Sequence, residues 1–291
     1  MTPSPSSRSP HARRTALVTG ASSGIGRATA RRLVGQGHTV LGTSRTPEAI
    51  RDADRVAGVD YRALDLAEPQ AADGLVASLA ADGIEVDVVV NNAGESQSGP
   101  LEDLPYDALE RLFAVNVLGP VHLTQLLLPG MRERGYGRVV MVGSMLASFP
   151  LAYRSSYVAS KAALKGFATA ARFEMSPYGV WITTVEPGSI ATGISQRRTK
   201  YVADGSPHER PFRRMLEILD ANESAGISPD RVAGTIMDAI QADAPAPLYA
   251  VGSRAPAVFA LRRALPRAVA ERLLAKQYGI SPDPGPRPPT A

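Results

Sequence analysis

Five short apolar runs, Ala16-Leu17-Val18, Thr39-Val40-Leu41, Val86–Val90, Arg138–Val142 and Val180–Val185, alternate along the chain with segments of helical hydrophobic period. No other feature restricts the fold as much. Runs rich in β-branched residues with little polar alternation suit strands buried on both faces, the environment of a parallel sheet covered by helices. Tyr61-Arg62-Ala63-Leu64 reads as a further strand, and Leu248–Val251, after Pro245 and Pro247, as the seventh. Helices are expected near 24–36, 70–82, 105–134, 154–176 and 229–242, several opening on a cap signal such as Ser228-Pro229-Asp230. The expected fold class is therefore α/β: a doubly wound parallel sheet with helices on both faces, a three-layer αβα sandwich.

Residues 1–14, with Pro3, Pro5 and Pro10 and no apolar period, read as a disordered leader, and residues 15–253 as one catalytic domain. Residues 194–226 interrupt the alternation with many charges and a short helix near Phe212–Ala221, and read as a substrate lid. Residues 254–280 read as an amphipathic helical extension interrupted at Pro266, followed by a proline-rich tail, 281–291. The extension is expected to pack on a partner subunit; covering the pocket, or lying through Val258–Tyr278 on an anionic membrane, are the alternatives.

The formal net charge of +4 comes from the ends. Residues 1–14 carry +3 and residues 254–291 carry +5, so the body between them is acidic, about −4, and no nucleic-acid partner is expected. The chain has no cysteine, which excludes disulfides, thiolate nucleophiles and cysteine-ligated metals, and a reducing cytoplasm is the expected compartment. No apolar run approaches the ~18 residues of a membrane span. His11, His38, His122 and His208 are scattered without ligand spacing, so no metal site is expected.

Thr19-Gly20-Ala21-Ser22-Ser23-Gly24-Ile25-Gly26 follows the first strand and opens the first helix, where a dinucleotide pyrophosphate can sit on unsatisfied N–H groups. Gly20 permits the tight turn; Gly24 and Gly26 permit close backbone approach and helix packing. At the end of the second strand stands Gly42-Thr43-Ser44-Arg45, with no acid to accept a ribose hydroxyl. Ser44 and Arg45 suit a 2′-phosphate, which makes NADP(H) the expected cofactor, although Ser23 supplies no second cation. Tyr157 and Lys161 are four residues apart on one helical face. A phenol with an ordinary pKa near 10 needs lowering by about 2 to 3 pH units to work near neutrality, and a neighbouring ammonium in a partly dry cleft supplies that magnitude. Tyr157 is then the general acid for carbonyl reduction. Ser144 ends the run Arg138–Gly143, thirteen residues earlier, where its hydroxyl can hydrogen-bond the carbonyl oxygen.

Taken together, Thr19–Gly26, Asn91-Asn92-Ala93-Gly94, Ser144, Tyr157-x-x-x-Lys161 and Pro187-Gly188 resemble the short-chain dehydrogenase/reductase family, in its order and spacing, over roughly residues 15–250. The resemblance implies a seven-stranded Rossmann sheet and a homodimer or homotetramer. It also implies that Asp65 receives the adenine amino group with Leu66 beside the ring, and that Asn92, Ala93 and Gly94 make room for the riboses. Lys161 would hydrogen-bond the nicotinamide ribose, and Asn116 would hold a water linking Lys161 to solvent. Ile190 backbone and the Thr192 hydroxyl, after Pro187-Gly188, would hold the carboxamide. Ser22, Ser23 and Ile25 complete the expected cofactor set.

Met145, Leu146, Phe149, Leu151, Tyr153 and Arg154 lie between Ser144 and Tyr157, and this mainly apolar stretch is expected to face substrate. Met145, Phe149 and Tyr153 are the expected contacts beside Ser144 and Tyr157; Arg154 reads as solvated surface charge, with binding of an acidic group by it or by the basic lid as the alternative. The expected activity is NADPH-dependent reduction of a lipophilic, small-molecule ketone or aldehyde, reversible to alcohol oxidation. The segment Ser224–Val251 also resembles hydroxysteroid- and retinol-type members, and an NADP-dependent alcohol dehydrogenase of that kind, working mainly in the oxidative direction, is the enzymatic alternative. A non-catalytic NADP-binding regulatory protein is the alternative from another class, against which Ser144, Tyr157 and Lys161 all stand.

Overall fold

In the computed structural model, which describes residues 13–280, the strands are β1 (Thr15–Val18), β2 (Thr39–Ser44), β3 (Val59–Ala63), β4 (Val88–Asn91), β5 (Gln97–Ser98), β6 (Gly137–Val142), β7 (Val180–Pro187), β8 (Thr199–Lys200) and β9 (Leu248–Val251). Seven of them form one sheet in the order β3-β2-β1-β4-β6-β7-β9, every pairing parallel. The seven expected strands are all present in that sheet. The helices are α1 (Gly24–Gly35), α2 (Pro69–Ala81), α3 (Tyr106–Phe113), α4 (Gly119–Glu133), α5 (Ser155–Met175), α6 (Ile194–Arg197), α7 (Glu209–Ser224), α8 (Pro229–Gln241), α9 (Ala255–Ala264) and α10 (Arg267–Gln277).

The two-residue period of each strand builds two cores from one sheet. Leu17, Leu41, Val89, Val139 and Met141 face one way, onto Leu75 and Leu79 of α2, Leu123 and Leu127 of α4 and Leu164 of α5. Ala16, Val18, Val40, Val88, Val90, Val140 and Val142 face the other way, onto Leu33 of α1 and Val232 and Ile236 of α8. Both faces are therefore dry, which is why the strands read as continuous apolar runs. The strand order reverses between β1 and β4, and the crevice beyond the strand ends at such a reversal is the binding place of doubly wound sheets.

Four features depart from the sequence expectations. Arg13 and Arg14, read as part of the leader, belong to the domain: Arg14 is buried with its guanidinium 3.9 Å from the Tyr136 ring centroid, its carbonyl accepts from Thr39 N–H, and Arg13 Nε donates to the Gly37 carbonyl at 2.7 Å. The rest of the leader and the tail from 281 lie outside the described residues. The long helix expected over 105–134 contains a π-turn, Ala114–Leu118, between α3 and α4. That same helical run, Tyr106–Glu133, is long and apolar enough by length and composition to cross a membrane, contrary to the sequence reading, but half of its apolar window is buried within this fold. Finally, α7 and the C-terminal extension share a third core, in which Phe212, Met215 and Leu219 pack with Leu151, Leu274 and Tyr278.

Candidate active site

A cleft of about 1230 Å³ opens at the strand-order reversal. Its floor is the glycine turn. Gly20 (φ +68°) and Gly24 (φ +52°) occupy the left-handed region, which side chains rarely adopt. Gly26 stands behind the turn rather than on the cleft wall: a Cβ there would run into the Gly20 carbonyl oxygen, so its role is packing α1 against β1. The Thr19 hydroxyl accepts from the N–H groups of Asn92 (2.9 Å) and Ala93 (3.0 Å), and Asn92 Nδ2 donates to the Thr19 carbonyl at 2.9 Å. These bonds lock the ends of β1 and β4 together, so the turn is built before any ligand arrives.

Ser22, Ser23, Gly24, Ile25, Ser44, Arg45, Asp65, Leu66, Asn92, Ala93 and Gly94 line the turn side of the cleft, and Pro187, Gly188, Ile190 and Thr192 the opposite side. The Arg45 side chain is 67% exposed and lies 3.9 Å from Glu95, a carboxylate already gripped by Arg111 through two hydrogen bonds. A second cation, unforeseen from the sequence, comes from α6: Arg197 Nη1 donates to the Ser23 hydroxyl at 3.2 Å. Asp65 accepts from Ala67 N–H at 2.9 Å, which fixes the turn after β3.

Ser144, Tyr157 and Lys161 meet on one wall beside Gly94. Ser144 hydrogen-bonds the Tyr157 phenol, and its oxygen accepts from Leu146 N–H at 3.2 Å. Lys161 is buried, its ammonium 5.9 Å from the Tyr157 ring centroid and donating to the Val142 carbonyl at 3.0 Å. Asn116 sits in the π-turn, where its amide accepts from Glu95 N–H (2.8 Å) and donates to the Glu95 carbonyl (3.0 Å) and the Ser160 hydroxyl (3.2 Å). A Cβ at Gly94 would lie 3.0 Å from the Asn116 oxygen and 3.5 Å from the Lys161 nitrogen, so glycine keeps these two groups adjacent.

The electrostatics of the phenol differ from the sequence expectation. Burial dominates and holds Tyr157 above its ordinary pKa, opposed first by Arg154 and then by the Ser144 hydrogen bond. Lys161, itself pulled down to about 8 by burial, stands further from the ring than Arg154 does. The geometric reason is the near approach of Arg154, whose guanidinium carbon is 4.2 Å from the ring centroid. Arg154 is accordingly not surface charge: it is 3% exposed.

On the substrate side, Met145, Leu146 and Phe149 line the cleft as expected. Tyr153 does not. It adopts φ +62° and its ring packs against Phe212 (5.6 Å between centroids) and His208 (5.9 Å) in the third core, leaving Arg154 to face the cleft. The far end of the cleft is closed by Leu219, Asn222 and Glu223 of α7 and by Leu274, Gln277 and Tyr278 of the C-terminal extension. Tyr278 is buried and hydrogen-bonds Asn222, and burial raises its phenol pKa. The C-terminal extension is therefore part of the cleft wall, a contact between segments too distant in sequence for local patterns to reveal.

A parallel sheet in this strand order, with a glycine turn at its reversal and Ser144, Tyr157 and Lys161 on one wall, defines an oxidoreductase architecture. The chain belongs to the short chain dehydrogenase family, whose pattern matches residues 14–202, and the protein is an oxidoreductase of that family. It is similar to a short-chain dehydrogenase from Streptomyces avermitilis at 31% identity and a TM-score of 0.79, covering 94% of this chain and 99% of that one. A serine dehydrogenase solved in a closed form with NADP+ is 27% identical with a TM-score of 0.70, over 83% of this chain and 95% of that one. The 3-ketodihydrosphingosine reductase of Bacteroides thetaiotaomicron is 29% identical over 222 residues, 76% of this chain and 81% of that protein.

Proposed function

We propose that the protein is an NADPH-dependent carbonyl reductase acting reversibly on a lipophilic ketone or aldehyde, with Tyr157 as general acid. The observation that carries this reading is the convergence of Ser144, Tyr157 and Lys161 beside the crevice above the glycine turn. The site suits a dinucleotide: two left-handed glycines open the backbone at the N-terminus of α1, and Gly94 leaves space before Lys161. When bound, NADPH supplies the hydride. The chain's own residues do the rest: Ser144 donates to the carbonyl oxygen, Tyr157 gives it a proton, and Lys161 holds the nicotinamide ribose with Asn116 behind it. Because burial keeps the phenol protonated across the neutral range, reduction is expected to proceed without a preceding proton uptake at Tyr157. Absorbance of NADPH, followed against ketones of graded size and polarity, tests the activity; no turnover across the panel rejects it.

Arg45 and Arg197 support the choice of NADP over NAD, since both guanidinium groups stand at the turn side of the cleft and no acid ends β2. The NADP-bound serine dehydrogenase and the keto compound in the Bacteroides relative's name agree with this reading. In Arg45→Asp, NADPH affinity is expected to fall at least about tenfold while NADH affinity holds or improves, because a carboxylate repels a 2′-phosphate and accepts from a ribose hydroxyl. Fluorescence titration with each nucleotide reads this directly, and unchanged selectivity would reject Arg45 as the selector.

The apolar wall of Met145, Leu146, Phe149, Leu219 and Leu274 favours a lipophilic substrate. A chain ending at Gly252 removes α9 and α10 and uncovers Phe212, Leu219 and the cleft's far end. Nucleotide binding, which uses the other end, is expected to persist within about threefold, while KM for a bulky lipophilic ketone rises by about tenfold or more. Equal KM in the two chains would show that α10 does not shape the pocket.

A further inference from the structure

We propose that Arg154 is a positioning residue that sets the acidity of Tyr157 through a guanidinium stacked on the phenol ring, a role resting on the reading of Tyr157 as the proton-transfer group. Arg154 is the N-cap residue of α5 and precedes Tyr157 by three positions, so the two side chains share one face of the helix. Its guanidinium carbon lies 4.2 Å from the phenol centroid, against 5.9 Å for the Lys161 nitrogen, and both side chains are buried.

The placement is costly by ordinary rules. A cation at a helix N-terminus opposes the helix dipole, and a buried guanidinium normally takes a carboxylate. Arg154 has neither advantage: Nη1 donates to the Ser96 hydroxyl (3.0 Å), the Gln97 carbonyl (3.0 Å) and the Ser98 hydroxyl (2.9 Å), all neutral, while Nε is buried without a hydrogen-bond partner. Burial draws its pKa down to about 10, which still leaves it charged at neutral pH. The other charges around the ring are compensated or tied. Arg198 is gripped by Asp220 and Glu223 of α7, and Lys161 by the Val142 carbonyl; Tyr278 closes the far end. Asp220 and Glu223 also act on Arg154 through their charge, yet among the described residues the cation nearest the ring is Arg154, and its counter-charge at close range is the phenolate that forms when Tyr157 releases its proton.

Ultraviolet tyrosinate titration of the NADP+-loaded protein, with Tyr157→Phe subtracted as background, reads the phenol without a substrate. In Arg154→Met the Tyr157 step should move alkaline by about one pH unit. Ser98→Asp, which keeps the guanidinium but neutralises its field, should move it in the same direction. The acid-side limb of NADP+-dependent 1-phenylethanol oxidation, where the rate rises as Tyr157 loses its proton, should follow the titration, whereas a merely structural role would depress the rate at every pH and leave the midpoint alone. A folded variant with an unmoved midpoint overturns the proposal, and so does failure of both variants to fold, which would make Arg154 a folding element. A wild-type protein that titrates as described yet turns over no ketone or alcohol would instead overturn the carbonyl reductase reading.

Discussion

Tyr157→Phe is expected to bind NADPH within about twofold of the wild type and to lose roughly a thousandfold in turnover. The hydroxyl is the difference between the two side chains, so the ring keeps its packing against Arg154 and its place in the wall. Without it, Ser144 can still polarise a carbonyl, but the developing alkoxide receives no proton from the chain. Ser144 also loses the phenol it hydrogen-bonds, so a Ser144→Ala, Tyr157→Phe pair should cost less than the sum of its single changes. Stopped-flow and steady-state absorbance of NADPH separate the two outcomes. Retained turnover in Tyr157→Phe would remove the proposed acid and, with it, the mechanism.

The parts of this architecture that local chemistry specifies were readable from the sequence. Val88-Val89-Val90 can only satisfy two apolar faces in a covered sheet, and the glycines of Gly20–Gly26 announce a turn that side chains would obstruct. Tyr157 and Lys161 share a helix, so their relation follows from helical period alone. The remainder depends on long-range packing that no window of sequence contains. Arg154 reads as an exposed charge until β5 brings Ser96, Gln97 and Ser98 around it. Tyr153 and Arg154 exchange their expected places because a left-handed residue stands between the loop and α5. Arg197 reaches Ser23 across 174 positions, and Tyr278 meets Asn222 only because α7 and α10 fold into one core. The π-turn at Asn116 likewise has no sequence mark, since Ala114–Leu118 is as helical in composition as its flanks.

The opposition between stability and activity at Lys161 has a definite sign. Burial pulls its pKa from 10.5 to about 8, so the folded protein holds this proton less tightly than the unfolded chain does. Below pH 8 the ammonium is charged in both states and folding bears the full cost of burying it; between pH 8 and 10.5 the folded state releases the proton first and the cost fades as pH rises. Lys161→Met removes the charge and keeps the length of the side chain, at the expense of the hydrogen bond to the Val142 carbonyl. The cofactor-free variant should therefore be more stable than the wild type near pH 7 by about 1 to 3 kcal/mol, with the gain shrinking toward pH 10. Urea unfolding at several pH values measures this. The same variant should lose at least about a hundredfold in turnover and bind NADPH more weakly, since no cation remains beside Gly94 to meet a ribose. A variant less stable at pH 7 would contradict the cost assigned to the buried ammonium, and one that keeps turnover would contradict its place in the reaction.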